Sequence, residues 1–588
     1  MSVSSSGLSV GAYLGSNGLM FKGQERLLHD HARFVAANAP KVRRDKQLAN
    51  ANGPCFARSC QIRQIWRIVS LMKKTLFPFS ALLLATVSAW PAQAQDAITV
   101  PSAEELDEAA NQPVAERIVN EHVRRILQLD DAGPRINAVI ALNPNAATEA
   151  REAEAAGLPL AGRTVLVKDN IETRELPTTA GSLALEDNFT GRDAPLVANL
   201  REAGGVVLGK ANLSEWANIR DQNSTSGWSA IGGLTRNPHA IDRNTCGSSS
   251  GSAAAVAADF AWAAIGTETD GSITCPASVN GIVGFKPSVG LVSRTHVVPI
   301  SSSQDTAGPM TRSVSDAAML LNAIAGVEEA DAATTAAEPH LADFTEGLET
   351  ASLDGVRIGI MRNQIGNHDG VSSLFEQAVS DLREAGAILV DVDYQRHPDL
   401  GEAEFTTLLY ELREEMARYL QSLPDQNGPQ TLSDLIAYNE ANAMAEMRWF
   451  GQDIFLMAQN ATSREEYENA RSTALRLAGA EGIDRLLREN SVDVLIAPTT
   501  GPAWTTDLVN GDNYSGGIGA GSLAAVAGYP HLTVPMGAVE GLPVGLSFMS
   551  RQWADHEALK IGAAYERART VKLAEPSFDT FARRVGVR

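Results

Sequence analysis

Long hydrophobic runs, cysteine, aromatic residues and net positive charge are all scarce in this 588-residue chain. The apolar run from Leu76 to Ala89 falls short of the roughly 20 residues that a bilayer-spanning helix needs. Four cysteines are too few for a disulfide scaffold, and Cys55 and Cys60 lie in a separate upstream stretch. The other two, Cys246 and Cys275, suit either a single bridge or two buried small hydrophobes. Ten histidines show no spacing such as H-E-x-x-H, and no phosphate-binding glycine motif is present, so neither a metal nor a cofactor is expected. With 49 Lys+Arg against 70 Asp+Glu the net charge is −21, which disfavours nucleic acid as a partner. What is present is ordinary for a folded chain: 44% hydrophobic and 20% charged residues exclude wholesale disorder.

The N-terminus reads separately from the rest. Met72-Lys73-Lys74, the apolar run and Ala92-Gln93-Ala94 form a charged segment, a hydrophobic segment and an A-x-A site, the pattern of a secretory signal over residues 72–94. Residues 1–71 carry ten Lys/Arg against three Asp/Glu and lack sustained periodicity. We read them as an upstream extension with Met72 as the initiator; a long leader is the other reading, and a retained N-terminal anchor the other fate of the signal. Once these positive segments are set aside, residues 95–588 carry a net charge of −30. A periplasmic or secreted protein without a stable membrane partner, acting as a monomer, is the expectation.

Residues 102–130 carry two helical stretches, broken near Pro113. From Arg163 onward short apolar runs alternate with helical patterns. Strands are predicted at 164–167, 206–208, 263–266, 356–360, 388–392, 492–497 and 532–534, and helices at 195–203 and 252–258. This alternation implies an α/β fold, one large domain over 95–588 with a central mixed sheet covered by helices. Between about 402 and 489 the pattern turns helical, charged and aromatic, with Phe405, Tyr410, Tyr419, Tyr438, Trp449, Phe450 and Phe455. That insertion either packs these rings against one another or uses some of them to wall a substrate entrance.

Glycine and serine concentrate where a plain core would not place them. Cys246-Gly247-Ser248-Ser249-Ser250-Gly251-Ser252 precedes an Ala-rich helix, and such small residues let the backbone approach a ligand closely. The same stretch fits G-x-S-x-G with Ser249 as nucleophile, but the residues before it, Asn237 to Asn244, make a poor strand for that motif. A second cluster, Gly266-Thr267-Glu268-Thr269-Asp270-Gly271-Ser272, follows one helix later. Upstream, Lys168 ends the apolar strand Val165-Leu166-Val167. A lysine there is a surface cap or, against apolar surroundings, a base of lowered pKa.

Taken together, these segments resemble the amidase signature family. The resemblance rests on Lys168 in its strand, the GSSSG segment and Ser272 lying 24 residues after Ser248; it continues through Val279-Asn280-Gly281 to Ser288, Asp305-Thr306-Ala307-Gly308-Pro309-Met310 and Pro543-Val544-Gly545-Leu546. It spans roughly Arg117 to Arg567, and the subgroup most alike removes the C-terminal amide of peptides. Cys246, Ser250 and Asp270 stand where the commoner family form has glycine.

The resemblance implies a carboxamide hydrolase working through an acyl-enzyme. Ser272 would be the nucleophile, Ser248 the proton relay after a cis Gly247–Ser248 bond, and neutral Lys168 the base, with Gly247 and Ser249 in support. The backbone N–H groups of Thr269, Asp270, Gly271 and Ser272 would form the oxyanion hole. A lysine neutral near pH 7 has lost about three pH units from roughly 10.4, a bias of about 4 kcal/mol that burial can supply. Peptide amides, or small aliphatic or aromatic amides, are the expected substrates.

Overall fold

A computed structural model describes residues 112–460, 463–514 and 517–586. The upstream extension, the signal-like segment and the predicted helix before Pro113 lie outside the described residues. Short segments, most of them buried on both faces, become strands, as expected for a sheet covered by helices. They are β1 (Val139–Leu142), β2 (Thr164–Lys168), β3 (Val206–Ala211), β4 (Ala263–Glu268), β5 (Val283–Lys286), β6 (Thr306–Thr311), β7 (Arg357–Ile360), β8 (Ile388–Asp391), β9 (Val494–Pro498), β10 (His531–Val539) and β11 (Leu542–Met549). All eleven form one mixed sheet in the order β1-β3-β2-β4-β6-β5-β10-β11-β9-β7-β8. The β3-β2-β4 and β9-β7-β8 groups are parallel, and the strands between them pair antiparallel.

The helices that matter for the site and its walls are, in chain order, α1 (Val114–Leu129), α2 (Pro195–Glu202), α3 (Ser250–Ala257), α4 (Thr274–Val279), α5 (Val314–Ile324), α6 (Asp369–Glu384), α7 (Leu400–Ser422), α8 (Leu432–Ala441), α9 (Arg464–Leu475), α10 (Ser522–Ala527) and α11 (Asp555–Ala568). One core cluster joins α2, α5, α6 and α11 to one face of the sheet. On the other face, α1 and α3 cover the β1 end, while α10 and residues 474–487 cover the β8 end.

The helical stretch predicted over 402–489 contains α7, α8, α9 and a π-helical segment, Arg476–Ile483. Its aromatic residues resolve toward packing. Tyr419 and Phe455 join a core cluster with Trp216, Phe450 meets Trp228 edge-on, and Tyr410 stacks on Tyr467.

Candidate active site

Strand β2 places the lysine. Val165 and Val167 enter one core and Leu166 the other, so Lys168, two residues beyond Leu166, leaves the strand on the α3 side. Lys168 is fully buried, and its Nζ lies 2.8 Å from Ser248 Oγ, 2.8 Å from Thr267 Oγ1 and 3.2 Å from the Thr267 carbonyl. Asn170 Nδ2 donates to the same Thr267 hydroxyl at 3.0 Å. Burial drives the Lys168 pKa down to about 7, against the upward pull of Asp305 and Glu268. An amine neutral at that pH has two N–H groups and one lone pair. The Thr267 carbonyl can only accept, so one N–H goes there, a second suits Thr267 Oγ1, and the lone pair is left for the Ser248 O–H.

The serine segment sits where β3 and β4 meet the helices. The Gly247–Ser248 peptide bond is cis. Ser248 is buried, and its carbonyl accepts from Ser214 N at 3.0 Å; Ser249 N donates to the Ser272 carbonyl at 3.1 Å, tying the two clusters together. Gly251, at the start of α3, lies so close to Asn212 of the β3 end that a Cβ there would collide with the Asn212 backbone and the Ala138 carbonyl. Ser249 points inward: its Oγ donates to the Thr267 carbonyl at 3.1 Å and accepts from Thr267 N at 3.2 Å. A hydroxyl so engaged and fully buried cannot meet a substrate, which removes the G-x-S-x-G reading.

Ser272 opens on a cleft of about 640 Å³ also lined by Gly247, Thr269, Asp270 and Gly271. Among the described residues, no protein acceptor takes the backbone N–H of Asp270, Gly271 or Ser272. Gly271, at φ +80°, has open space where a Cβ would stand, so the turn faces the cleft. Beneath it, Glu268 Oε2 accepts from Ile273 N at 2.7 Å and Thr274 N at 2.9 Å, satisfying first-turn donors of α4. Thr269 Oγ1 donates to Asp305 at 2.6 Å, and burial pushes the Asp305 carboxyl up to about 6.

Cys246 and Cys275 form a disulfide that joins the serine segment to α4 beside Trp504. Sequence reasoning missed most of the cleft wall. Trp504, Tyr394, Tyr514, Arg396, Asp512 and His531 line it, whereas none of the seven aromatic residues singled out in the helical stretch does. These wall residues come from loops and strand ends whose neighbours in sequence carry no shared pattern. Thr267 and Glu268 lie within the Gly266–Ser272 cluster and Asn170 stands two residues past Lys168, and only three-dimensional contact shows what they hold.

The Amidase family model matches residues 117–559. A probable amidase of Arabidopsis thaliana is 38% identical over 457 residues, 75% of this chain and 84% of that one. Among solved structures, the peptide amidase of Stenotrophomonas maltophilia superposes with a TM-score of 0.75 at 46% identity, covering 82% of this chain and all of that one. A peptide amidase in complex with the competitive inhibitor chymostatin reaches a TM-score of 0.76 at 48% identity, covering 80% and 98%. With its mixed eleven-stranded sheet and these relatives, the chain belongs to the amidase signature family and is a hydrolase of the C–N bond of amides.

Proposed function

We propose that the protein releases ammonia from the C-terminal amide of peptides through an acyl-enzyme on Ser272. Ser272 Oγ attacks the amide carbonyl, and its proton passes through Ser248 Oγ to the lone pair of Lys168. The developing oxyanion accepts from the free N–H groups of the 269–272 turn, where losing one donor costs about 3 kcal/mol of barrier. The proton then returns by the same relay to the leaving nitrogen as the C–N bond breaks, and water attacks the ester to regenerate Ser272. The observation that carries the chemistry is the 2.8 Å contact between a fully buried lysine and Ser248, whose neighbour Gly247 lines the same cleft as Ser272. The peptide preference is supported by likeness to peptide amidases at 46–48% identity and by a cleft large enough for several residues of an acyl chain.

The test is ammonia release from a C-terminally amidated peptide set against small aliphatic and aromatic amides. A kcat/KM favouring the peptide amide by tenfold or more is expected; a preference for the small amides assigns the other substrate class. A fluorophosphonate probe is expected to label Ser272 in the wild type and nothing in Ser272→Ala. Labelling at Ser249 would refute the assignment.

We also propose that the protein is exported through the signal-like segment Met72–Ala94. A bridge between Cys246 and Cys275 suits an oxidising compartment.

A further inference from the structure

The cleft has an aromatic corner that the acyl-transfer chemistry does not use. Cys246 and Cys275 both line the cleft, and Trp504 packs on their bridge together with Val279 and Ala503. The bridge starts two residues before Ser248 and ends three residues after Ser272, so this apolar floor lies close to both hydroxyls. Trp504 is fixed in place. Its carbonyl accepts from Asn244 N at 2.8 Å, and its Nε1 donates to Asp512 Oδ1 at 3.3 Å. Asp512 in turn accepts from Ser226 N at 3.1 Å and from Asn244 Nδ2 at 3.3 Å. These bonds fasten the loop after β9 onto the segment that precedes Ser248.

Tyr514, further along the same loop, is placed differently. Its ring centre stands 5.5 Å from that of Trp504 with the planes tilted by 47°, and the residue lines the cleft while 60% exposed. Two rings so arranged can take a third against both, edge to face. An exposed aromatic side chain beside a buried apolar floor also gains when an apolar group covers it. The charged groups of the cleft are engaged elsewhere. Asp270 accepts from Ser522 Oγ of α10 at 2.9 Å, and Arg396 stands 3.9 Å from Glu404 of α7. The corner itself offers ring contact and burial, with its one carboxylate, Asp512, already hydrogen-bonded.

We propose that the bridge, Trp504 and Tyr514 form the pocket for the side chain of the amidated residue, and that this pocket selects aromatic side chains at that position. The inference rests on the peptide-amide reading of the site and narrows it. In the tetrahedral intermediate the former carbonyl carbon is bonded to Ser272 Oγ, its oxygen faces the 269–272 turn and its nitrogen faces Ser248. The remaining substituent is the Cα of the amidated residue. Its side chain is the part of the acyl group nearest the floor built on Cys246 and Cys275.

The test compares two acetylated dipeptide amides that differ only in ending with phenylalanine amide or alanine amide. The wild-type kcat/KM is expected to favour the phenylalanine amide by about tenfold or more, from ring contact and the extra apolar area. In Tyr514→Ala this ratio is expected to fall about fivefold, the worth of one aromatic pair; in Tyr514→Phe, which keeps the ring, it stays within about twofold of wild type. Each ratio is taken on one protein sample, so a variant that folds only in part still yields it. A wild-type ratio near one, or an unchanged ratio in Tyr514→Ala, overturns the pocket.

A second measurement separates the pocket from the peptide-amide reading. Peptide aldehydes with the same two endings take Ser272 Oγ on their carbonyl carbon, with the serine proton going to the new hydroxyl, and no group leaves. Their protection of Ser272 against the fluorophosphonate probe is expected to follow the same order, and Tyr514→Ala to weaken that order. Where small amides prove the better substrates, this order still supports the pocket, and equal protection by both aldehydes overturns it.

Discussion

Lys168 is fully buried among its polar neighbours Ser248 and Thr267, so its charge state is set by the protein around it. Among the charges that oppose its neutralisation, Asp305 is the strongest. Replacing Asp305 with Asn removes that charge, while the amide oxygen can still accept from Ile300 N and Ser301 N, each 2.8 Å from Oδ2. The Lys168 pKa then falls, so the acidic limb of kcat/KM is expected to move to lower pH. The shift should be roughly 0.7 of a unit, for a charge effect of about 1 kcal/mol. A limb that stays in place, or moves up, would show that the base is not Lys168. Lys168→Ala is expected to lower kcat near neutral pH by about 10²- to 10⁴-fold, the range of a lost general base. Lys168, Ser248 and Ser272 were legible because each stands in a local pattern that chemistry recognises. Thr267 was not, because its role depends on Lys168, 99 residues away in the chain. The choice of Ser248 over Ser249, which spacing and Gly247 alone supported in the sequence, gains a physical reason: only the Ser248 hydroxyl faces Lys168.

At the scale of elements, the strands that sequence revealed include β2, β3 and β9, buried on both faces and rich in branched residues. Among the missed ones, β5, β6 and β11 contain Gly or Pro within their spans, which weaken the pattern a strand is read from. Small residues carry the opposite information at the start of α3. Alanine is the better helix former, yet a Cβ at Gly251 would strike backbone that cannot move aside. Gly251→Ala is expected to destabilise the fold by about 3 kcal/mol or more, seen as a lowered Tm or loss of soluble protein. The Cys246–Cys275 bridge closes a 29-residue separation that contains both Ser248 and Ser272. Chain entropy assigns such a loop about 3.5 kcal/mol, which in a domain this large corresponds to roughly 3–4 °C in Tm. The double variant Cys246→Ser, Cys275→Ser is expected to lose that much on heating and to lose kcat as well, because the bridge holds the relay segment against α4. A variant with unchanged Tm and kcat would show that the bridge neither stabilises nor aligns.

For the whole molecule, the alternation of strands and helices predicted a mixed α/β sheet, but not its order. Placing β6 between β4 and β5, or β10 beside β5, depends on long-range pairing that no local run encodes. Charge has the same global character. The positive residues of the first 94 positions stand apart from a remainder of net charge −30, a division that supports the proposed leader. The proposed export makes a prediction in two parts. Expressed from Met72 in a Gram-negative host, the protein is expected in the periplasm with Gln95 as its first residue, by N-terminal sequencing. The same sample, denatured without reductant, is expected to show no free thiol, because Cys246 and Cys275 are the cysteines left and they are bridged. Protein retained in the cytoplasm with residues 72–94 attached would reject the leader. Two free thiols in exported protein would reject the link between compartment and bridge, and each outcome can be read without measuring activity.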